Sequence, residues 1–159
     1  MFLKPRKLLF NDALSCYNAA MFRMRKKSMQ PNSGKIIIPG GLPSPPELHE
    51  LDVAYVLGRH YKTDVEFIIP VDDYMRKSAD IVMLGVEWEI KCPQGKSKST
   101  IGNQFRNASR QAKNIVIDSR RTKLKYEIIE KQVTMEAKQR TIINRVILIN
   151  KKGNVVEIK

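Results

Sequence analysis

The sequence predicts a mixed α/β domain, a central mixed β-sheet flanked by helices, and three observations lead there. At 159 residues and 42% hydrophobic content the chain can fill one core. Its apolar residues recur with period two in some stretches and 3.6 in others. Those periods follow one another as α-β-β-β-α-β-α-β-β, the order of a sheet covered by helices and closed by a terminal hairpin.

Residues 1–44 stand apart, carrying Lys4, Arg6, Lys7, Arg23, Arg25, Lys26, Lys27 and Lys35 against the single acid Asp12. A helix is expected near 11–25, then an irregular linker in PNSGKIIIPGGLPSPP. The division is therefore a basic N-terminal arm and linker over 1–44 and a folded domain over 45–159. Ser44-Pro45-Pro46-Glu47 predicts a helix start, because Pro is tolerated in the first turn and Ser-x-x-Glu forms a capping box. On the helical wheel Glu50, Ala54, Leu57 and Tyr61 share one stripe as far as residue 61. A carboxylate on an apolar face is costly unless it is paired or binds a metal, so Glu50 is a candidate site residue.

The β-branched run 65–69 reads as a buried strand closed by Pro70. ADIVM, then Leu84-Gly85, then VEWEIK form a hairpin signature in which residues whose numbers sum to 169 face each other. Asp80 then lies opposite Glu89, with Cβ atoms about 5 Å apart. Period two puts Glu87, Glu89 and Lys91 on one face and Val86, Trp88 and Ile90 on the other. Over 99–114 a helical wheel separates an apolar stripe (Ile101, Phe105, Ala108, Ala112), an amide stripe (Gln104, Asn107, Gln111) and a basic stripe (Arg106, Arg110, Lys113). A buried strand over 114–118, the basic loop SRRTKLK, a polar helix over about 126–140 and a hairpin turning at Lys151-Lys152-Gly153-Asn154 complete the chain.

The formal charge of +13, from 29 Lys and Arg against 16 Asp and Glu, calls for a polyanionic partner. No apolar run approaches the roughly 20 residues that cross a bilayer, and MFLKPRKLLF is too short for a signal peptide, so nucleic acid rather than membrane is expected. Cys16 and Cys92 lack the spacing of a disulfide framework or a zinc site, and two histidines give a Ser-His-Asp triad little to build on. Chemistry must rest on carboxylates and lysine. Phosphodiester cleavage needs an activated water, charge compensation and a stabilised leaving oxygen, all of which Mg²⁺ can supply from one or two carboxylates plus water and phosphate. Asp80 and Glu89 suit such an ion, Mg²⁺ or Mn²⁺. Lys91 can orient or deprotonate the water, and Glu50 can add a ligand directly or through water. Thr100, Asn103, Gln104 and Gln111 can meet nucleic acid through amides and a helix N-terminus. Arg106, Arg110, Lys113, Arg120, Arg121 and Lys123 can track phosphates.

An Asp nine residues before E-x-K, the hairpin pairing them, and an upstream Glu on a half-buried stripe resemble the PD-(D/E)XK nuclease superfamily. Ala79 stands where the superfamily name has Pro, a position that shapes the turn and supplies no ligand. HELDVAYVL and ADIVMLGVEWEIKCPQGKSKSTIGNQFRNASRQAKNIVID, with SRRTKL after it, resemble the tRNA-nuclease toxin domain at the C-terminus of CdiA proteins of contact-dependent growth inhibition, over roughly 47–125. The resemblance implies a restriction-endonuclease-like core and a metal-dependent ribonuclease acting on tRNA in the cytoplasm of a target cell. It also implies Glu50, Asp80 and Glu89 as the acids, Lys91 as the lysine, and a cognate immunity protein as partner. A DNA endonuclease of the same superfamily would use the same four residues. A non-catalytic nucleic-acid-binding protein would explain the charge but not the gathering of Glu50, Asp80 and Glu89.

Overall fold

The computed structural model describes residues 34–71, 78–97 and 99–159. Seven strands form one mixed sheet in chain order: β1 (Ile36–Ile37), β2 (Val65–Phe67), β3 (Ile81–Met83), β4 (Val86–Lys91), β5 (Asn114–Asp118), β6 (Arg145–Ile149) and β7 (Val155–Glu157). Three helices are inserted: α1 (Leu48–Tyr61) between β1 and β2, α2 (Thr100–Ala108) between β4 and β5, and α3 (Tyr126–Gln139) between β5 and β6. The strands β4, β5 and β6 are parallel, so their links must cross over a face of the sheet, which α2 and α3 do. The mixed α/β reading holds for the described residues.

Period two sorts the strands between two cores. Trp88, Ile90, Val116, Ile147 and Ile149 point one way and pack with Leu51, Val53, Ala54 and Leu57 of α1. Their neighbours Ile115, Ile117, Val146 and Leu148 point the other way, onto Ile101 and Phe105 of α2 and Ile129 and Val133 of α3. Being covered on both sides, β5 is buried at all five residues, as a central parallel strand must be. The buried indole of Trp88 donates to the Met83 carbonyl at 3.0 Å, satisfying its one polar atom. Among the described residues no helix is long and apolar enough to cross a membrane.

Three boundaries differ from expectation. The middle of the proposed linker carries β1, which pairs parallel with β2, while the basic tract before residue 34, its expected helix near 11–25 and Cys16 lie outside the described residues. Helix α1 starts at Leu48 rather than in the first prolines, because the reciprocal box is formed by Glu47 and Glu50: the Glu50 carboxylate accepts the Glu47 N–H at 2.9 Å. Helix α2 stops at Ala108, five residues before β5 begins. There the Gln111 N–H bonds back three residues to Ala108 at 2.9 Å, the tightened turn of a chain bending into a strand. Arg110, Gln111 and Lys113 therefore leave the helix, and the expected amide and basic stripes break apart.

The hairpin register is as expected: Ile81 faces Trp88, Val82 faces Glu87 and Met83 faces Val86. Both turn residues are left-handed, Leu84 at φ 55° and Gly85 at φ 72°, the geometry that matches the twist of the flanking strands. Glycine adopts it freely, but a leucine is strained there by about 1–2 kcal/mol, and Leu84 is 45% exposed, so little packing offsets the strain. Leu84→Asn should raise the midpoint of thermal unfolding by about 2–4 °C; an unchanged or lower midpoint in a calorimetric scan would show that the turn is not strained.

Candidate active site

Strand β4 ends where three charged side chains meet. Beyond the Ile81–Trp88 pair the hairpin ladder slips: the Asp80 N–H, which a regular ladder would leave unpaired with β4, donates to the Trp88 carbonyl at 3.1 Å. The slip leaves the Ile90 N–H to the Asp80 side chain, whose Oδ2 accepts it at 2.6 Å. Asp80 is thereby pinned beside Glu89 by a backbone donor, close enough that the charge of Asp80 raises the carboxyl of Glu89. Lys91, two residues along the same face, donates its Nζ to Glu89 Oε1. The other oxygen, Glu89 Oε2, is buried with no hydrogen-bond partner.

Glu89 is only 1% exposed. Burial pushes its carboxyl up to about 7, the charge of Asp80 adds to the rise, and Lys91 opposes it. Burial also raises Asp80, against the Ile90 N–H and Lys91. Two carboxylates sharing one lysine in a dry place are a charge problem that a cation solves. Among the described residues no group of three His, Cys, Asp or Glu side chains is gathered to hold a metal ion. Whatever cation binds has two protein carboxylates close at hand, Asp80 and Glu89, and would complete its shell from elsewhere.

Glu50 approaches from α1 as the wheel required, half-buried, its carboxyl raised first by burial and further by Asp80. Its carboxylate is engaged as the cap on Glu47, so it stands at the edge of the carboxylate pair rather than inside it. Together Glu50, Asp80 and Gln111 line an open cleft of about 730 Å³. The proline-rich segment around Pro43 and Pro45 forms one of its walls and Ile69 and Val71 another. Its low-complexity composition made that wall read as linker; the only sequence signal for it was the exposed apolar pair flanking Pro70.

The nucleic-acid candidates scatter. Gln111 enters the cleft, whereas Asn103 and Arg106 line a groove between α2 and α3, and Arg110 and Lys113 flank the start of β4. Thr100 and Gln104 are half-buried on α2, Thr100 close to Gly95. Arg121 and Lys123 are exposed, as a phosphate contact requires. Arg120 is not available in the same way. Its Nε and Nη2 each meet the buried Asp118 at 2.8 Å, and its Nη1 meets Asp52 of α1 at 2.6 Å. Its guanidinium is bonded to carboxylates on two elements, raised by Asp118 above all. It ties the first half of α1 to the end of β5, beside the thiol of Cys92, which burial pushes up to about 12. The signal for this clamp, Asp118-Ser119-Arg120 at a strand end, is too short to distinguish from a loop charge pair.

Residues 77–155 match the contact-dependent growth inhibition CdiA C-terminal domain. That stretch holds Asp80, Glu89 and Lys91 but not Glu50. A chain of the CdiA-CT/CdiI toxin and immunity complex from Burkholderia pseudomallei is similar in fold, with a TM-score of 0.57 over 79% of this chain and 99% of that chain at 22% sequence identity. Curated proteins give no match.

Two outcomes follow from the geometry alone. Arg120→Ala leaves Asp118 buried without its cation, which should cost about 3–5 kcal/mol. Arg120→Lys should recover only part of that loss, because one ammonium cannot reproduce a fork shared by two carboxylates; equal denaturation midpoints for wild type and Arg120→Ala would refute the clamp. Because the carboxyl of Glu89 sits above its unfolded value, its contribution to stability is fully present below about pH 4.5 and is lost as pH rises through about 7. In metal-free buffer Glu89→Gln should therefore unfold several degrees higher than wild type at pH 8, the gap closing near pH 5; a gap independent of pH would count against a shifted Glu89.

Proposed function

We propose that the chain is a metal-dependent nuclease whose catalytic residues are Asp80, Glu89 and Lys91, with Glu50 in support. The observation that carries this reading is the buried, unpartnered Oε2 of Glu89 beside Asp80. A buried carboxylate oxygen without a donor costs free energy, and a divalent cation is the ligand that would relieve it. The donor set fits Mg²⁺ or Mn²⁺, which take one or two carboxylates and fill the remaining positions with water and phosphate; such an ion, when bound, supplies charge compensation and a more acidic water. Asp80 is aimed by the Ile90 N–H, and Lys91, held on Glu89, can orient the attacking water or offset charge developing on the phosphate.

The net charge of +13 supports a polyanionic substrate. Exposed Arg106, Arg110, Lys113, Arg121 and Lys123 are the cations to meet its phosphates, with Thr100, Asn103 and Gln104 as polar contacts on α2. The CdiA match over 77–155, together with the sequence resemblance, supports RNA, and tRNA in particular, as substrate. It supports a toxin role as well: delivery from one cell, action in the cytoplasm of another, and a cognate immunity protein as partner, as in the similar toxin and immunity complex.

The test is cleavage by purified protein of a tRNA pool and of single- and double-stranded DNA of matched length, at one salt concentration, with Mg²⁺ or EDTA. tRNA should be cut fastest, EDTA should abolish cleavage, and Asp80→Ala and Glu89→Gln should each lower the rate by about 10³-fold or more while remaining folded. Activity in EDTA or in either variant would sink the site. A rate on DNA equal to that on tRNA would overturn only the substrate and favour a DNA endonuclease with the same residues.

A further inference from the structure

The cleft beside Asp80 has a composition at odds with the rest of the protein. Among the described residues no lysine or arginine lines this cleft, whose charged side chains are the carboxylates Glu47, Glu50 and Asp80. A phosphate entering its apolar part would be repelled by Glu50 and Asp80. The walls are apolar: Pro43 and Pro45 on one side, Ile69 and Val71 on the other, the last two 44% and 71% exposed. At about 730 Å³ the cleft lies within the roughly 300–1,000 Å³ typical of sites for small organic groups. At its acidic end stands Gln111, half-buried, whose side-chain amide bonds to no other described residue.

An uncharged, flat group with apolar faces and a polar edge fits these walls. We propose that the cleft takes an unpaired nucleobase next to the scissile phosphate, its faces against the proline and Ile69/Val71 walls and its edge read by the amide of Gln111. The inference rests on the nuclease reading for the position of the cut, but the recognition itself needs only the cleft. Its physics is that of other enzymes that hold an extruded base between apolar side chains and read its edge by hydrogen bonds. Gln111 suits that task because an amide both donates and accepts, so it can pair with a base edge at two points. Stacked bases in a duplex cannot enter; unpaired ones can.

Two measurements on the full chain test it. Cleavage sites in a random-sequence, unpaired oligoribonucleotide pool are mapped for wild type, Gln111→Ala and Gln111→Glu, with unfolding midpoints confirming that all three fold. Wild type should prefer one base beside the cut by about tenfold, Gln111→Ala should level that preference, and Gln111→Glu, an acceptor without donors, should change which base is preferred. In parallel, binding in EDTA is compared for an unpaired oligonucleotide and an abasic chain of equal length and charge. Wild type should bind the abasic chain several-fold more weakly, and Gln111→Ala should narrow that difference. A base preference identical in all three proteins, or a difference between intact and abasic chains that Gln111→Ala leaves unchanged, would overturn the proposal. Absence of any cleavage with the abasic difference intact would instead refute the nuclease reading and leave the base site standing.

Discussion

Two carboxylates share one lysine at a nearly dry end of the sheet, and most of the local structure serves to hold them there. Asp80 and Glu89 would each relax by turning to solvent, but neither can. Glu89 belongs to a strand whose next residues inward, Trp88 and Ile90, are locked in the core against α1, and alternation leaves its own side chain no freedom to change face. Asp80 is held by the Ile90 N–H, a donor released only because the ladder slips at that point. A two-residue left-handed turn sets the register as far as the Ile81–Trp88 pair, and the slip beyond it brings Asp80 to the Ile90 N–H. The sheet thus holds the pair in place, and the carboxyl of Glu89 is raised by burial first and by the charge of Asp80 second. Sites arranged in this way sacrifice folding stability to keep charge concentrated where a ligand can neutralise it.

Charge is organised on two scales. Over the whole chain the excess is strongly positive, which draws a polyanion from a distance, a pull that salt screens within about 10 Å at moderate ionic strength. Within the cleft the charged side chains among the described residues are acidic, Glu47, Glu50 and Asp80, so the local sign opposes that of the chain as a whole. Arg120 belongs to neither scale, because Asp118 and Asp52 already occupy its guanidinium; its role is to fasten helix to sheet.

Legibility in the sequence followed the range of the determinants. The β3–β4 hairpin could be read as far as the Ile81–Trp88 pair because a two-residue turn with Gly85 leaves one register, but the slip at Asp80 beyond that pair leaves no mark in the turn. The strand at 114–118, three β-branched residues between Asn114 and Asp118, was equally plain, since a doubly covered strand has to be apolar along most of its length. Helix ends were not, because they answer to tertiary demands. The wheel extended α2 through Lys113, but the chain needs those residues to turn into β5, and Gln111 reached the cleft by leaving the helix rather than by sharing a stripe with Gln104. The cap on α1 moved for a related reason: Ser-x-x-Glu and Glu-x-x-Glu both offer a box, and only the packing of Leu51 and Ala54 decides between them. Contacts joining elements far apart, such as Arg120 with Asp52, leave no local trace at all.

Glu50 shows how the fold and the candidate chemistry constrain each other. A carboxylate that accepts its own helix's N-terminal N–H cannot swing inward without leaving that donor unpaired, at a cost of about 1 kcal/mol. Its position is therefore set by α1, and α1 is in turn fastened through Asp52 and Arg120 to the end of β5, the neighbour of β4. From the edge of the carboxylate pair Glu50 acts through its field: its proximity to Asp80 raises both the cost of leaving the pair without a cation and the attraction for one. One oxygen of Glu50 carries the cap, so the start of α1 fixes where this third negative charge stands beside the pair.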